Sequence, residues 1–117
     1  MPLLITRSVS QYLMRNEGKQ VLVKRPAVYV LACGDGSLYT GATVDLPRRL
    51  SAHRRRKAAK YTRGRQPVRL VAWWHPVSFA VAKSHEARFK QLRRSAKLAI
   101  LRTGIAFGCA VYENKGK

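Results

Sequence analysis

Five side chains in the middle of this sequence carry the groups that hydrolysis of a phosphodiester bond requires. They are two phenols, a guanidinium, an imidazole and a carboxylate, at Tyr29, Tyr39, Arg49, His53 and Glu86. The reaction needs a positioned water, a group near it that can take a proton, and positive charge on the phosphate oxygens. An arginine supplies two parallel donors to a phosphate. A cation such as Mg²⁺ that is held by one carboxylate keeps several waters and can bind phosphate directly.

The two tyrosines flank the turn of a predicted β-hairpin. Residues 28–32 form a β-prone run around Tyr29, residues 34–37 read Gly-Asp-Gly-Ser and predict a turn, and the chain then returns through Tyr39. This hairpin sets the two phenols side by side on neighbouring strands. Gly41 has no Cβ, so we expect backbone or substrate to approach closely beside Tyr39.

A helix is predicted directly after the hairpin, with Asp45 as its N-cap. Leu46 and Leu50 form an apolar i,i+4 pair on this helix. At about 100° per residue, Arg49 and His53 lie on the same face as the two leucines. Polar groups that are turned inward either find a partner or form a site. The pattern therefore favours a site for Arg49, while a packing role for His53 is the alternative.

A second helix is predicted over residues 78–94, with Ser78 as its N-cap. Glu86 lies on the apolar side of this helix, although the chain has only 5 acidic residues against 24 Lys and Arg. A carboxylate directed toward the core is a candidate metal ligand. The alternative is a structural ion pair with Arg49 or Lys90. The apolar positions of the helix are Phe79, Val81, Ala82, Phe89 and Leu92.

In their order and spacing these residues resemble the GIY-YIG nuclease family, specifically its small stand-alone bacterial members. Residues 27–29 read Ala-Val-Tyr where the family has Gly-Ile-Tyr, and residues 39–41 read Tyr-Thr-Gly where it has Tyr-Ile-Gly. The Asp, Arg and His of residues 45–53 fit the spacing of the family's helix. The Glu, Lys and Leu of residues 86–92 fit the helix that carries its metal-binding Glu. The resemblance covers about residues 26–102.

The resemblance implies a DNA endonuclease in which Glu86 holds a single Mg²⁺ or Mn²⁺ ion. Tyr29 and Tyr39 would line the site, and one phenol would activate or position the attacking water. Arg49 would stabilise charge on the scissile phosphate, and His53 would support or shuttle protons. We expect structure-directed cleavage of branched, flapped or damaged DNA in repair or recombination. The alternative is a basic nucleic-acid-binding protein with little or no catalysis.

A tyrosine that acts as the base sets an expectation for the pH dependence. The reference pKa of tyrosine is about 10, which makes it a poor base at neutral pH. Nearby positive charge from Arg, Lys and the metal would have to lower this pKa. Activity is then expected to rise toward alkaline pH.

The charge of the chain indicates a polyanionic partner. Its formal net charge is +19, which exceeds what solubility requires. The basic residues are densest in residues 45–65, where an interleaved tyrosine could stack on a base. The predicted nucleic-acid contacts are Gly41, Arg48, Arg54, Arg55, Arg56, Lys57, Lys60, Tyr61, Arg63, Arg65 and Lys90.

DNA is the expected partner, RNA is the other compatible polyanion, and a further protein is a possible source of targeting. No stretch approaches about 18 uninterrupted apolar residues, so no membrane partner is expected. No small-molecule cofactor is expected either. Cys33 and Cys109 lack the spacing of metal ligands and indicate a reducing compartment. The expected location is the cytoplasm, in association with the nucleoid.

Together these elements predict a small α/β sandwich in the order β-β-α-β-α-α. Its sheet has three strands, mixed or antiparallel, and is flanked by helices. The third strand covers residues 68–75, and a final helix is capped by Ser95 and ended by Gly104. One face of the third strand is expected to hold Val68, Leu70, Ala72 and Trp74. We expect a basic extension over residues 1–25, a nuclease-like domain over 26–104, and a loose tail over 105–117 without a domain-ending Asn.

Overall fold

The secondary structure follows the predicted order with several short additions. The computed structural model describes residues 13–16, 19–22 and 24–114. The helices are α1 Leu46–Arg54, α2 Lys60–Arg63, α3 Phe79–Lys90 and α4 Arg94–Thr103. No helix in these described ranges is both long and apolar enough to span a membrane. The strands are β1 Leu13–Asn16, β2 Lys19–Leu22, β3 Ala27–Ala32, β4 Leu38–Thr43, β5 Arg69–Trp74, β6 Ile105–Ala106, β7 Cys109–Ala110 and β8 Tyr112–Glu113.

A short two-stranded hairpin precedes the main sheet. β1 pairs antiparallel with β2, with Leu13 opposite Leu22 and Asn16 opposite Lys19. The predicted basic extension, residues 1–25, therefore contains regular backbone structure. Its residues 1–12 lie outside the described part of the chain.

The main sheet is built on the predicted hairpin. Its strand order is β4-β3-β5-β8, and each neighbouring pair is antiparallel. Tyr29 lies opposite Gly41, and Leu31 lies opposite Tyr39. Because side chains alternate along a strand, Tyr29, Leu31 and Tyr39 share one face of the sheet. The predicted α/β architecture is confirmed, but the sheet has four strands rather than three.

A bulge in β5 changes which of its residues face each layer. Val30 pairs with Ala72 whereas Leu31 pairs with Leu70, so Val71 is the extra residue. Leu70 consequently packs in one core cluster while Trp74 packs in the other. The predicted alternation, which placed these two residues on one face, is wrong at the bulge.

Helices cover both faces of the sheet and create two apolar cores. The core under α1 consists of Tyr29, Leu31, Leu46, Leu50, Leu70 and Trp73. The core under α3 consists of Val28, Val30, Trp74, Ala82, Phe89 and Ala106. Phe79 was predicted to lie on the buried side of α3, but it is 43% exposed because the helix has only just begun there.

Three predicted helix ends are confirmed, but the end predicted at residue 94 is wrong, because α3 stops at Lys90 and a separate helix begins at Arg94. Asp45 and Ser78 each accept a hydrogen bond from the backbone N–H three residues later, at 3.2 and 3.1 Å. Gly104 ends α4 with φ 83°, a left-handed conformation that glycine adopts without steric strain. The start of α4 differs from the prediction. The helix begins at Arg94 and has no side-chain cap, so Ser95 is its second residue rather than its cap.

Residues 105–114 of the segment that was predicted to be a loose tail are part of the fold, and residues 115–117 lie outside the described part of the chain. β8 is the fourth strand of the sheet, and the ring of Tyr112 stacks on Trp73 with a centroid separation of 5.8 Å. Asn114 is only 8% exposed, and its Nδ2 donates to the Leu70 carbonyl at 3.1 Å. An Asn therefore lies at the end of the domain, where none was predicted. A two-residue strand has too few positions for periodicity to reveal it.

We expect Asn114→Ala to destabilise the fold because the Leu70 carbonyl loses this donor. Loss of one buried hydrogen bond costs about 1–3 kcal/mol, which urea unfolding followed by tryptophan fluorescence can measure. Ala110→Ser is the control, because it changes an exposed position of the same segment. It should leave the urea concentration at the midpoint of unfolding unchanged. Equal midpoints for Asn114→Ala and the unaltered protein would mean that this segment does not stabilise the sheet.

Candidate active site

A buried chain of hydrogen bonds connects three of the predicted site residues. The Tyr29 hydroxyl lies 2.8 Å from Nε2 of His53, and Nε of Arg49 donates to the same hydroxyl at 3.3 Å. Nδ1 of His53 lies 2.8 Å from Oγ1 of Thr62. Tyr29, His53 and Thr62 have no exposed surface. Their polar atoms are therefore satisfied by one another rather than by bulk water.

The direction of each bond in this chain follows from Thr62. The Thr62 hydroxyl donates its single proton to the Ala59 carbonyl at 3.2 Å, so it accepts a proton from Nδ1 of His53. A neutral His53 then has a lone pair on Nε2, to which the Tyr29 hydroxyl donates. The oxygen of that hydroxyl accepts from Arg49. Both ring nitrogens of His53 are thus used to hold Tyr29 and, through it, Arg49.

Burial sets the protonation states in this chain. Burial, assisted by the positive charge of Arg49, lowers the pKa of His53 from 6.5 to about 4, so its ring is neutral at pH 7. Burial also raises the pKa of Tyr29 well above its ordinary value, although the hydrogen bond from Arg49 opposes this shift. The expectation that positive charge lowers the tyrosine pKa is therefore wrong for Tyr29, because desolvation is the larger effect.

Tyr39 is the phenol that a substrate can reach. Its side chain is partly exposed whereas Tyr29 is fully buried. The Tyr39 ring centroid lies 6.3 Å from that of Tyr29 and 5.2 Å from that of His53. Nζ of Lys90 lies 5.9 Å from the centroid of the Tyr39 ring. The hairpin, α1 and α3 therefore meet around Tyr39.

Gly41 makes room for Tyr29 rather than for a substrate. A Cβ at Gly41 would overlap the hydroxyl oxygen and the ring of Tyr29. Gly41 is also buried. The space that was predicted to admit backbone or substrate is filled by the Tyr29 phenol. A larger residue at Gly41 would displace the hydroxyl that holds both His53 and Arg49.

The Glu86 carboxylate is held by two lysines of its own helix. Nζ of Lys90 lies 2.7 Å from Oε2, and Nζ of Lys83 lies 3.0 Å from Oε1. The Glu86 side chain is 10% exposed, whereas those of Lys83 and Lys90 are 57% and 49% exposed. Burial raises the pKa of Glu86, but the contacts with Lys90 and Lys83 outweigh it and leave this pKa below its ordinary value. The carboxylate is therefore ionised at neutral pH.

Glu86 is linked to the phenols through its charge and through Lys90. Its negative charge contributes to the raised pKa of Tyr29. Lys90 contacts the carboxylate with its ammonium group and also lies near the Tyr39 ring. The ion pair of Glu86 is therefore with Lys90 and Lys83, and no ion pair with Arg49 occurs in the described part of the chain.

The surroundings of Glu86 are compatible with a hard cation that retains most of its waters. Among the described residues, the buried Oε1 of Glu86 makes an ion pair with Lys83 at 3.0 Å and no further hydrogen bond. No group of three or more His, Cys, Asp or Glu side chains in the described ranges could enclose a metal. One carboxylate with water and phosphate as the other ligands suits Mg²⁺ or Mn²⁺.

The predicted nucleic-acid contacts lie mainly on the surface around α1 and α2. Arg65 is the most constrained of them, because its Nε contacts Asp35 at 2.8 Å and its guanidinium lies 3.9 Å over the Tyr61 ring. Arg54 is half-buried. The surface beside Arg49 therefore has a high density of positive charge. The exposed members of the set are Arg48, Arg55, Arg56, Lys57, Lys60, Tyr61, Arg63 and Lys90.

Two residues that support the site were missed by the sequence analysis. Thr62 orients His53, as described above. Gln66 donates from Nε2 to the backbone carbonyls of His53 and Thr62, at 2.9 Å in each case. These bonds fasten the end of α1 to α2. Hydroxyl and amide side chains are common in basic surface segments, so their type and position alone did not distinguish them.

Comparison with known proteins identifies a family and several similar chains. Residues 25–99 match the family model described as the GIY-YIG catalytic domain. A UPF0213 protein of Streptococcus sanguinis is 52% identical over 75 residues, which cover 64% of this chain and 86% of that protein. A UPF0213 protein of Streptococcus agalactiae is 49% identical over 82 residues, which cover 69% and 93%. A solution NMR structure of a UPF0213 protein from Bacillus halodurans is 46% identical, covers 67% of this chain and 83% of that chain, and has a TM-score of 0.46.

We expect Gly41→Ala to displace the Tyr29 phenol and to lower the free energy of unfolding. Overpacking of this kind costs about 1–3 kcal/mol, which urea unfolding can measure. Gly64→Ala is the matched control, because no described heavy atom lies within 4 Å of a Cβ at that position. It should stay within about 0.5 kcal/mol of the unaltered protein. Equal stabilities of the two variants would contradict the close contact between Gly41 and Tyr29.

A second prediction concerns the titration of His53. Its ring proton resonance, identified by its loss in His53→Gln, should titrate near pH 4 rather than near 6.5. Since the folded pKa is below the unfolded one, the stability contributed by the neutral ring is complete above about pH 6.5 and is lost as the pH falls through about 4. A midpoint near 6.5 would indicate a hydrated ring and an open hydrogen-bond chain.

Proposed function

Because the chain belongs to the GIY-YIG family, we propose that it is an endonuclease that hydrolyses DNA phosphodiester bonds with a single Mg²⁺ or Mn²⁺ ion. The buried chain of hydrogen bonds from Thr62 through His53 and Tyr29 carries this proposal. It fixes Arg49 on the Tyr29 hydroxyl, and the Tyr29 ring lies 6.3 Å from the ring of the reachable Tyr39. Burying polar groups costs desolvation energy. An apolar core would pack these helices against the sheet without that cost, so the arrangement favours a site over simple packing.

Arg49 is assigned to the charge that develops on the scissile phosphate. Its Nε is engaged by Tyr29, and its two Nη groups are the donors assigned to the phosphate oxygens. Arg49 is half-buried, so its charge is screened less by salt than a fully exposed one. Tyr29 and His53 act as positioning residues. With both ring nitrogens engaged, His53 supports the site rather than shuttling protons.

Tyr39 is assigned to the attacking water. In the reaction a bond forms between the water oxygen and phosphorus, and the bond from phosphorus to the leaving oxygen breaks. The proton that the water loses passes to solvent, and the leaving oxygen takes a proton from solvent. The partly exposed Tyr39 hydroxyl can orient that water through a hydrogen bond. Tyr29 is not suited to this role, because it is fully buried and burial raises its pKa.

Glu86 is assigned to the metal ion. When bound, Mg²⁺ or Mn²⁺ would add positive charge at the phosphate and at the leaving oxygen. Lys83 and Lys90 must first move away from the carboxylate, and their side chains are about half exposed, so they can contact the DNA backbone instead. Water and phosphate oxygens would complete the set of ligands.

The distribution of charge supports a substrate that is held through its phosphates. The formal net charge is +19, and basic side chains crowd the surface around α1 and α2. Phosphate contacts position a nucleic acid but carry no sequence information. We therefore include in the proposal structure-directed cleavage of branched, flapped or damaged DNA, in repair or recombination, in the cytoplasm at the nucleoid. A protein partner that supplies targeting belongs to the same proposal, and RNA is the alternative polyanion.

The second candidate function is a basic nucleic-acid-binding protein with little or no catalysis. The contacts of Glu86 favour it, because Lys83 and Lys90 satisfy the carboxylate as a structural ion pair would. The two candidates differ in what Glu86 does when DNA is bound. A binder has no requirement for this carboxylate, whereas the nuclease loses its metal ligand without it.

Glu86→Gln should reduce cleavage of nicked, flapped and cruciform DNA by about 100-fold or more in the presence of Mg²⁺ or Mn²⁺. DNA affinity should be unchanged or higher, because a negative charge is removed from the surface that binds phosphate. Glu113→Gln is the matched control, since it makes the same change on β8, at the opposite edge of the sheet from β4, and should cleave normally. If the unaltered protein binds these substrates and leaves all of them intact, the binding protein is the correct candidate.

A further inference from the structure

A cavity lies beside Tyr39, and Lys90 also lines it. Its volume is about 430 Å³, within the range of about 300–1,000 Å³ that is common for small-molecule sites. The lining combines two phenol rings with two ammonium groups and includes no carboxylate. Aromatic faces together with positive charge are what a single-stranded nucleotide requires of its binding site. The lining residues are Leu38, Tyr39, Thr40, Tyr61, Lys90 and Lys97.

The ring of Tyr61 is exposed to solvent but held in place from one side. It is 38% exposed. The guanidinium carbon of Arg65 lies 3.9 Å from the ring centroid. Arg65 is itself fixed, because it contacts Asp35 at 2.8 Å and donates to the Tyr61 backbone carbonyl at 3.0 Å. Ser37 donates to Asp35 at 2.6 Å, which fixes this carboxylate in turn. Tyr61 is therefore an oriented aromatic surface rather than a freely rotating side chain.

The position of Tyr61 is tied to the candidate active site. It directly precedes Thr62, which orients His53, so both residues are placed by α2. The ring centroids of Tyr61 and Tyr39 are 5.7 Å apart, with an interplanar angle of 34°. Lys90, which also lines the cavity, contacts Glu86 at 2.7 Å. A nucleotide in the cavity would consequently adjoin the phosphate that is cleaved.

We propose that this cavity binds the unpaired base of the nucleotide next to the scissile phosphate, stacked on Tyr61, with Lys90 and Lys97 contacting the flanking phosphates. This inference rests on the proposed endonuclease function. The bases of a duplex are stacked on one another, and a side chain reaches the face of a base only when it is unpaired or flipped out. Stacking on an aromatic ring discriminates little between bases. The preferred substrate is therefore single-stranded or flapped DNA, with little dependence on sequence.

Tyr61→Leu tests the proposal because it removes the ring and keeps an apolar side chain. We expect kcat/KM on flapped DNA to fall about 10- to 100-fold, with little change in any cleavage of fully paired duplex. Tyr61→Trp retains an aromatic face and should recover most of the loss. Phe79→Leu makes a similar change at a position that is 43% exposed and outside the cavity, and should cleave at the normal rate.

A fluorescent base analogue gives a readout that does not depend on cleavage. 2-Aminopurine, whose fluorescence is quenched by stacking, is placed at the unpaired position next to the cleavage site. The DNA is titrated with Glu86→Gln, which should bind without cutting. We expect the fluorescence to fall on binding, and the fall to disappear when Tyr61→Leu is added to Glu86→Gln.

The outcomes separate this inference from the nuclease proposal. If flapped DNA is cleaved equally well with and without the Tyr61 ring, and the fluorescence change persists in Tyr61→Leu, the base-binding cavity is disproved and the nuclease stands. If no DNA is cleaved but the ring-dependent fluorescence change remains, the nuclease proposal fails and the cavity stands.

A further variant keeps the test decisive if Tyr61→Leu unfolds. Lys97→Ala alters the cavity from α4 and leaves α2 intact. It should weaken binding of flapped DNA more than binding of fully paired DNA. An equal loss on both substrates would overturn the proposal, because Lys97 would then contact backbone phosphates irrespective of unpaired bases.

Discussion

The hydrogen bond from the Tyr29 hydroxyl to Nε2 of His53 is the contact on which the rest of the site depends. It is 2.8 Å long, it is fully buried, and it joins β3 to α1. Gly41 must lack a Cβ because the phenol lies against it. Thr62 accepts from Nδ1 because its own proton goes to the Ala59 carbonyl. Arg49 is oriented by the same hydroxyl. Segments from four parts of the chain therefore share one polar centre.

Burial gives this centre a defined protonation state. Desolvation lowers the pKa of His53 and raises that of Tyr29. Both shifts favour the uncharged forms, so the phenol keeps its proton and the imidazole ring stays neutral. A neutral pair is far less costly to bury than a phenolate and an imidazolium. The charged groups, Arg49 and Glu86, lie at the margin of the neutral centre. The fold thus separates the neutral groups that position their neighbours from the charged groups that we propose to face a phosphate.

The parts of the fold that could be predicted are those with local signals. The hairpin was predicted from its Gly-Asp-Gly-Ser turn, and the two main helices were predicted from their caps and their helical periodicity. The same periodicity indicated that His53 and Glu86 turn inward. The bulge at Val71 has no local signal, and β8 is too short to show one. Thr62 acquires its role only from the position of the His53 ring. The direction of the Tyr29 pKa shift results from a competition between burial and Arg49, which depends on the packed structure.

The two lysines around Glu86 offset the charge of a nearly buried carboxylate in a strongly basic chain. An isolated carboxylate would repel an approaching phosphate, but contacts at 2.7 and 3.0 Å with ammonium groups largely neutralise it at a distance. In the proposed reaction the lysines turn to the DNA, and the carboxylate and the phosphate then face each other and require a cation between them. Binding of the cation and of DNA must therefore reinforce one another, because each relieves a repulsion that the other encounters. In the proposed mechanism, this mutual dependence would allow a single carboxylate to hold the ion only where a phosphate is present.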